Sequence, residues 1–374
     1  MSGTSSTSTS GTSASSGTSG VSCPGYADPS TPASCPCGNG HICAANGCYN
    51  GYFCDLGQNR CVAPPANCSG SSASTTGTGS ASGASSGTTS GSGTTASSTG
   101  TTGGTGHTGL YRVMFDAAHE QVAGNACWIV DSSAPNPQPS NPTSETSWSG
   151  GISAWGFDLY QSGRYAVTQL PQGTTLNWGQ GGAGDLSQVD VFVSDEPEIV
   201  FSSQEQAALM SFANAGGGIF LISDHSGAVR CGSCTEATQV ISDFLTTAGS
   251  AFGAACDNTN VGGSGLVGTV VSTSLAANIG TGPFGSGSQL TYHSGSTVSV
   301  TGSNAQVAIN SSAGGMMVLS TLTSGGRLVL VGDSSPEEDG TSSTCSATLY
   351  NGWGETDDRV LILNATAWLA HDGS

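Results

Sequence analysis

Three runs of β-branched and apolar residues end on an aspartate: residues 111–115 run into Asp116, 218–223 into Asp224 and 327–332 into Asp333. His119 follows the first within a turn of chain, and His225 follows the second directly. Carboxylates and imidazoles converging from separate segments can hold a divalent cation or move protons. Oxygen and imidazole together suit Zn²⁺ or Mn²⁺, and oxygen alone suits Ca²⁺ or Mg²⁺. The candidate metal ligands are therefore Asp116, His119, Asp224, His225 and Asp333. Glu198 and Glu120 are candidate general bases, with His119 a third proton carrier. Each motif also has a plain structural reading. Asp116 can cap the next segment, Asp224 can bond a neighbouring loop, and Asp333, Glu337, Glu338 and Asp339 can form a solvated acidic loop. What they share is position, and Asp195, Glu196 and Glu198 follow another apolar run to the same edge.

Short apolar runs flanked by glycine and separated by helical stretches indicate buried parallel strands. In open α/β sheets, ligands sit beyond the carboxyl ends of such strands. The spacing predicts a helix over 152–161, with Trp155 and Leu159 inward, and strands over 165–170 and 189–193. A helix over 203–215 is capped by Ser202 or Ser203, carries Glu205 in its first turn and ends at the glycines of 216–218. Residues 236–248 form a helix burying Val240, Ile241 and Phe244. Residues 257–316, rich in Gly, Ser and Thr, suit β-hairpins or long loops. Residues 317–321 and 327–331 suit adjacent strands, and a closing helix over 357–369 covers the sheet with Val360, Leu361, Leu363, Ala367 and Trp368. The expected fold is a doubly wound, mainly parallel α/β domain with a β-rich insertion.

That domain is assigned to 109–374 of a 374-residue chain. Residues 1–22, nearly all Ser, Thr and Gly, suit disorder, and 69–108 suit a flexible Ser/Gly/Thr linker. Between them, 23–68 carry Cys23, Cys35, Cys37, Cys43, Cys48, Cys54, Cys61 and Cys68, an even and dense set that suits a disulfide framework. Such a framework calls for an oxidising compartment. No signal sequence is visible at Met1, so the expectation is an extracellular or cell-surface protein whose secretion signal has been removed. No stretch of 18 apolar residues is present, so no transmembrane helix is expected. The formal charge is −19 and there is no lysine. That disfavours nucleic acid as a partner, since phosphate binding leaves a basic footprint. Five cysteines fall in the large domain: Cys127, Cys231, Cys234, Cys256 and Cys345. The odd count leaves one thiol free or paired between chains, and Cys231-Gly-Ser-Cys234 has redox-type spacing in a loop.

The cysteine-rich segment resembles EGF-like modules of secreted and cell-surface proteins. Gly332-Asp333-Ser334 with Asp116-x-x-His119 resembles the signature blocks of GDS-type lipases, but in reversed order, which argues against Ser334 as a nucleophile. Over about residues 109–371 the domain resembles the class I glutamine amidotransferase-like superfamily, and within it a poorly characterised secreted, GIFT-related branch. The segments carrying this are FDAAHEQ (115–121), AGNACWIVD (123–131), DVFV (190–193), FSSQEQAAL (201–209), GGGIFLISDH (216–225) and VGD (331–333). The resemblance implies a flavodoxin-like sheet. Amidotransferases carry a nucleophilic cysteine where this chain has Asp224-His225, so amidotransfer is not expected. The residues suit a metal-assisted hydrolase of esters or phosphoesters acting on a small or polymeric extracellular substrate. The rival expectation is a non-catalytic module binding polysaccharide or a cell-surface partner, with Trp128, Trp155 and Trp353 as stacking platforms.

Overall fold

The computed structural model describes residues 26–27, 53–55, 60–62 and 109–373, apart from 125, 126, 134, 250, 262, 264 and 341–349. The chain divides into two units, Met1–Ser97 and Ser98–Ser374. In the first, Tyr26–Ala27, Phe53–Asp55 and Arg60–Val62 form a small antiparallel sheet. The expected leading segment, disulfide framework and linker lie outside the described residues.

The second unit is built on a nine-stranded mixed sheet. Its first strands are β1 (Tyr111–Asp116), β2 (Tyr165–Leu170), β3 (Val191–Asp195) and β4 (Gly218–Ile222). The insertion supplies β5 (Ala254–Val261), β6 (Leu266–Val270), β7 (Gln289–Tyr292), β8 (Gly295–Val300), β9 (Ala305–Asn310) and β10 (Gly315–Thr321), and β11 is Arg327–Val331. The order is β7-β6-β9-β10-β11-β4-β3-β1-β2. Strands β2, β1, β3, β4 and β11 run parallel, in the 2-1-3-4 order of flavodoxin-like sheets. The insertion does not lie apart: β10, β9, β6 and β7 extend the sheet through antiparallel pairs. Strands β5 and β8 form a separate ribbon.

Both faces of the sheet are covered, which is why its central strands are apolar throughout. On one face Val113, Phe115, Val193, Phe220, Ile222, Val329 and Val331 pack against α1 (Ser153–Gln161) and α4 (Asp358–Leu369). On the other, Met114, Phe192, Ile219, Leu221, Leu328 and Leu330 meet α2 (Ser203–Asn214) and α3 (Ala237–Thr247). The alternation is the period of two that a pleated strand imposes. Helix α2 starts on a capping box: the Glu205 backbone N–H donates to Ser202, whose own N–H donates back to the Glu205 carboxylate.

The carboxyl edge is fixed by close backbone approach at Gly332, just after β11. Its N–H donates to the Tyr292 hydroxyl at 2.6 Å and its carbonyl accepts from the Ser296 N–H at 2.7 Å. A Cβ there would collide with the Ser296 carbonyl oxygen and meet the Tyr292 hydroxyl at 3.3 Å. Gly332→Ala should therefore destabilise the domain by roughly 1–3 kcal/mol, as overpacking does. Gly232→Ala, whose Cβ meets nothing within 4 Å, should stay within about 0.5 kcal/mol of wild type. Urea-denaturation midpoints check this; equal midpoints for both variants would contradict it.

Candidate functional site

The predicted site residues separate into two groups. Asp116, buried at the end of β1, accepts hydrogen bonds from Ser194 Oγ at 2.7 Å and from the Ala118 N–H at 2.9 Å. It also meets His119 Nδ1 at 2.8 Å. The other ring nitrogen of His119 lies 3.3 Å from Glu205 on α2. Burial alone would keep this imidazole neutral, but the two carboxylates raise its pKa to about 10. Glu205 is likewise desolvated, yet hydrogen bonds from His119 and Ser202 hold it near 2. Both ring nitrogens of His119 are engaged by carboxylates, which leaves neither for a cation or for proton transfer. The network ties β1 to the start of α2.

Asp224, His225 and Asp333 meet elsewhere, around a cavity of about 230 Å³ also lined by Arg230, Glu338 and Tyr350. Asp333 accepts from the backbone N–H groups of His293 (2.8 Å), Ser294 (3.0 Å) and Ser335 (3.0 Å). Asp224 accepts from Arg230 at 2.9 Å and from the His225 N–H at 2.6 Å. His225 is half-buried, with one ring nitrogen turned to the Ser226 carbonyl at 3.1 Å and the other 4.0 Å from Asp224. Arg230 also pairs with Glu196 at 3.1 Å and lies over the Trp128 ring at 4.7 Å. Trp128 in turn donates to Glu338 at 3.3 Å, so one buried indole positions both a cation and a carboxyl.

Beneath the cavity the acid is denser than the sequence suggests. Asp195, Glu196, Glu337 and Glu338 are all buried, where a solvated loop was expected for the last two. No other described residue donates to either oxygen of Asp195 or of Glu337. Desolvation, followed by repulsion from neighbouring carboxylates, raises Asp195, Glu196 and Glu337 well above the ordinary range. Burial lifts Asp333 to about 6 and Glu338 to about 7. Glu196 holds a left-handed φ of +42° ahead of Pro197, a backbone tolerated only where its surroundings over-determine it. Its N–H donates to the Ile222 carbonyl at 3.0 Å, which together with the Arg230 pair holds it in place.

The two proposed bases lie outside this lining. Both Glu198 oxygens accept the Arg230 backbone N–H, at 2.8 and 3.0 Å, and burial raises this carboxyl to about 7. Glu120 is half-buried, at a left-handed φ of +66°. Trp128, Trp155 and Trp353 are core residues and offer no ring face to a sugar. Ser334 is buried and donates to Glu338 rather than to an imidazole. Cys231 and Cys234 are disulfide-bonded to each other, Cys127 is also in a disulfide, and Cys256 is a buried free thiol. Cys345 lies outside the described residues. Arg230 is the site residue that sequence reasoning missed, and Trp128, expected as a sugar platform, is instead a buried indole against Arg230 and Glu338. The available signal for Arg230 was its rarity, one of six basic side chains in the chain, set just after a strand-end aspartate.

No family model and no curated protein matches the chain. Solved structures similar to it include the "mmIFT52 N-terminal domain", at 13% identity and a TM-score of 0.45, covering 70% of this chain and 99% of that one. A putative thua-like protein from Parabacteroides merdae matches at 10% identity and a TM-score of 0.41, over 70% and 90% of the two chains. A putative GMP synthase protein from Thermoplasma acidophilum matches at 10% and 0.35, over 71% and 96%.

The His119–Glu205 pair makes a pH-dependent contribution to stability. His119 is charged up to about pH 10 when folded but only to about 6.5 when unfolded, so its contribution is lost as pH rises through that window. Glu205 is charged down to about 2 when folded against about 4.3 unfolded, so its share is lost as pH falls through that range. Glu205→Gln should cost about 3–5 kcal/mol near pH 6, because it leaves a buried imidazolium short of a partner. The gap in melting temperature from wild type should narrow towards pH 10. A gap of constant size across that range would contradict the assignment.

Proposed function

We propose that the acidic crevice is the active centre of a secreted or surface-tethered hydrolase of esters or phosphoesters that works with a divalent cation. In this reading the domain belongs with the GIFT-related branch of amidotransferase-like proteins and stands behind an EGF-like module. The observation that carries the reading is the pair of buried, unpartnered carboxylates, Asp195 and Glu337, beside Asp224, Asp333 and Glu338. Carboxylates gathered without donors in a dry site are costly unless protons or a cation neutralise them. The buried acids offer oxygen and His225 adds one imidazole on the cavity wall, a set that fits a hard ion such as Ca²⁺, Mg²⁺ or Mn²⁺ better than Zn²⁺. A bound ion of this kind supplies an activated water and polarises the scissile bond.

The chain's own residues supply the rest. Glu338, with a pKa of about 7 and a place on the cavity wall, is matched to take a proton from water and return it to a leaving group at neutral pH. Arg230, fixed by Asp224 and Glu196, offers positive charge to an oxygen that becomes negative in the transition state. Two residues after β4 stands Asp224, where amidotransferases place a cysteine nucleophile, which speaks against amidotransfer. The disulfides at Cys127 and Cys231–Cys234 support an oxidising compartment.

One observation favours the rival reading of a glycan- or surface-binding module. The exposed Tyr350 ring stacks on His293 at 4.2 Å and lines the same cavity, a platform on which a sugar ring can lie. A panel of ester, phosphodiester and glycoside substrates, run with and without EDTA, separates the two. The hydrolase reading predicts chelator-sensitive turnover of an ester or phosphodiester that Glu338→Gln lowers about 10²–10⁴-fold. Absence of turnover, with retention on a polysaccharide gel that Tyr350→Ala abolishes, would replace it with the binding reading.

A further inference from the structure

The loop from Ser223 to the start of α3 carries a second constellation, separate from the crevice and unused by the chemistry proposed there. Cys231 Sγ, Cys234 Sγ and a Glu198 carboxylate oxygen all lie within 4.8 Å of one another. The two cysteines are three residues apart, with Cα atoms separated by 5.2 Å, and the Cys234 N–H donates to the Cys231 carbonyl at 3.2 Å. A Cys-x-x-Cys turn of this kind is the spacing at which paired thiolates grip one ion in structural zinc sites. We infer that Cys231 and Cys234, when reduced, form with Glu198 a binding site for a borderline-soft divalent ion of the Zn²⁺ class.

The approach of the turn to Glu198 rests on more than the sulfur–sulfur bond. On one side of the turn, the Arg230 N–H donates to the Glu198 carboxylate at 2.8 Å. On the other, the Thr235 N–H donates to the Glu198 carbonyl at 2.9 Å. These bonds hold the turn against Glu198 after the disulfide opens, and a ring of so few residues restrains the unfolded chain little. Both cysteines are only half-buried, so a thiol or phosphine can reach them. The redox step is balanced. A dithiol gives up two electrons and two protons and becomes a disulfide, while the Cys231–Cys234 bond breaks to two thiols. Ion binding then releases the two thiol protons. Two sulfurs and a carboxylate leave a fourth tetrahedral position for water. The segment is thus a cross-link where thiols are oxidised and a metal ligand pair where they are kept reduced.

Cobalt(II) reports this directly, because thiolate ligation gives a sulfur-to-metal absorption band that the crevice, whose lining has no cysteine, cannot produce. The full-length protein, reduced with a phosphine, is titrated with Co²⁺ beside a Cys231→Ser/Cys234→Ser variant, so that bands from other cysteines cancel in the difference. The expected result is one additional thiolate-bound Co²⁺ per chain in reduced wild type, displaced by Zn²⁺, and no difference between the two proteins when oxidised. Loss of an outer-shell partner alone costs roughly 10–100-fold in metal affinity, so Glu198→Gln should weaken Zn²⁺ by at least about tenfold. Identical titrations for reduced wild type and the double-serine variant would overturn the proposal. So would a Glu198→Gln affinity equal to wild type, or peptide mapping that finds the Cys231–Cys234 bond intact in reduced, folded protein.

Discussion

Six carboxyl groups, Asp195, Glu196, Asp224, Asp333, Glu337 and Glu338, are buried together at the carboxyl edge of the sheet, where the Arg230 guanidinium pairs with Glu196 and Asp224. In a desolvated site, like charges at side-chain distances repel far more strongly than in water. One arginine cannot balance them. The remainder must be met by bound protons, which is what the raised pKa values express, or by a cation. The left-handed Glu196, the three backbone donors on Asp333 and the indole between Arg230 and Glu338 all hold carboxyls where a chain left to itself would separate them.

The fold makes that crowding possible. Parallel strands deliver their carboxyl ends to one edge, so residues far apart in sequence arrive together: Asp195 from β3, Asp224 from β4 and Asp333 from β11. The two-faced core fixes the strands, because each buries alternate residues in opposite apolar layers and a slip by one residue would exchange those layers. The insertion contributes from the side, through the His293 and Ser294 N–H groups on Asp333 and the Tyr292 hydroxyl under Gly332. The same edge hosts the separate Asp116–His119–Glu205 network, in which two carboxylates share one imidazole as a structural ion pair.

Much of the scaffold was legible in the sequence because local pattern determines it. Apolar runs ending in aspartate marked the parallel strands, and Ser202 with Glu205 marked the start of α2. The allocation of site residues was less legible. Asp116 and Asp224 both follow apolar runs, yet the first closes β1 and is shut off by Ser194 and His119, while the second stands two residues beyond β4 and opens on the cavity. That difference is set by neighbours on other strands, which no local window contains. Glu337 and Glu338 have the composition of a solvated loop, yet both are buried, and Glu338 is held by Trp128 and the Tyr350 backbone, brought in from elsewhere in the chain. The insertion's pairing with the main sheet was equally hidden, since long-range strand pairing leaves only a weak local trace.

The account rests on the buried acids being a seat for a cation, and thermal unfolding of wild type beside an Asp195→Asn/Glu337→Gln variant near pH 8 tests that most directly. Because a ligand that binds only the folded state stabilises it by mass action, Ca²⁺, Mg²⁺ or Mn²⁺ should raise the wild-type midpoint and leave the variant unmoved. In EDTA the variant, relieved of two buried like charges, should be the more stable of the two. A wild type that ignores all three ions and melts above the variant in EDTA would show that the acids are balanced by the chain itself, and that no such seat exists.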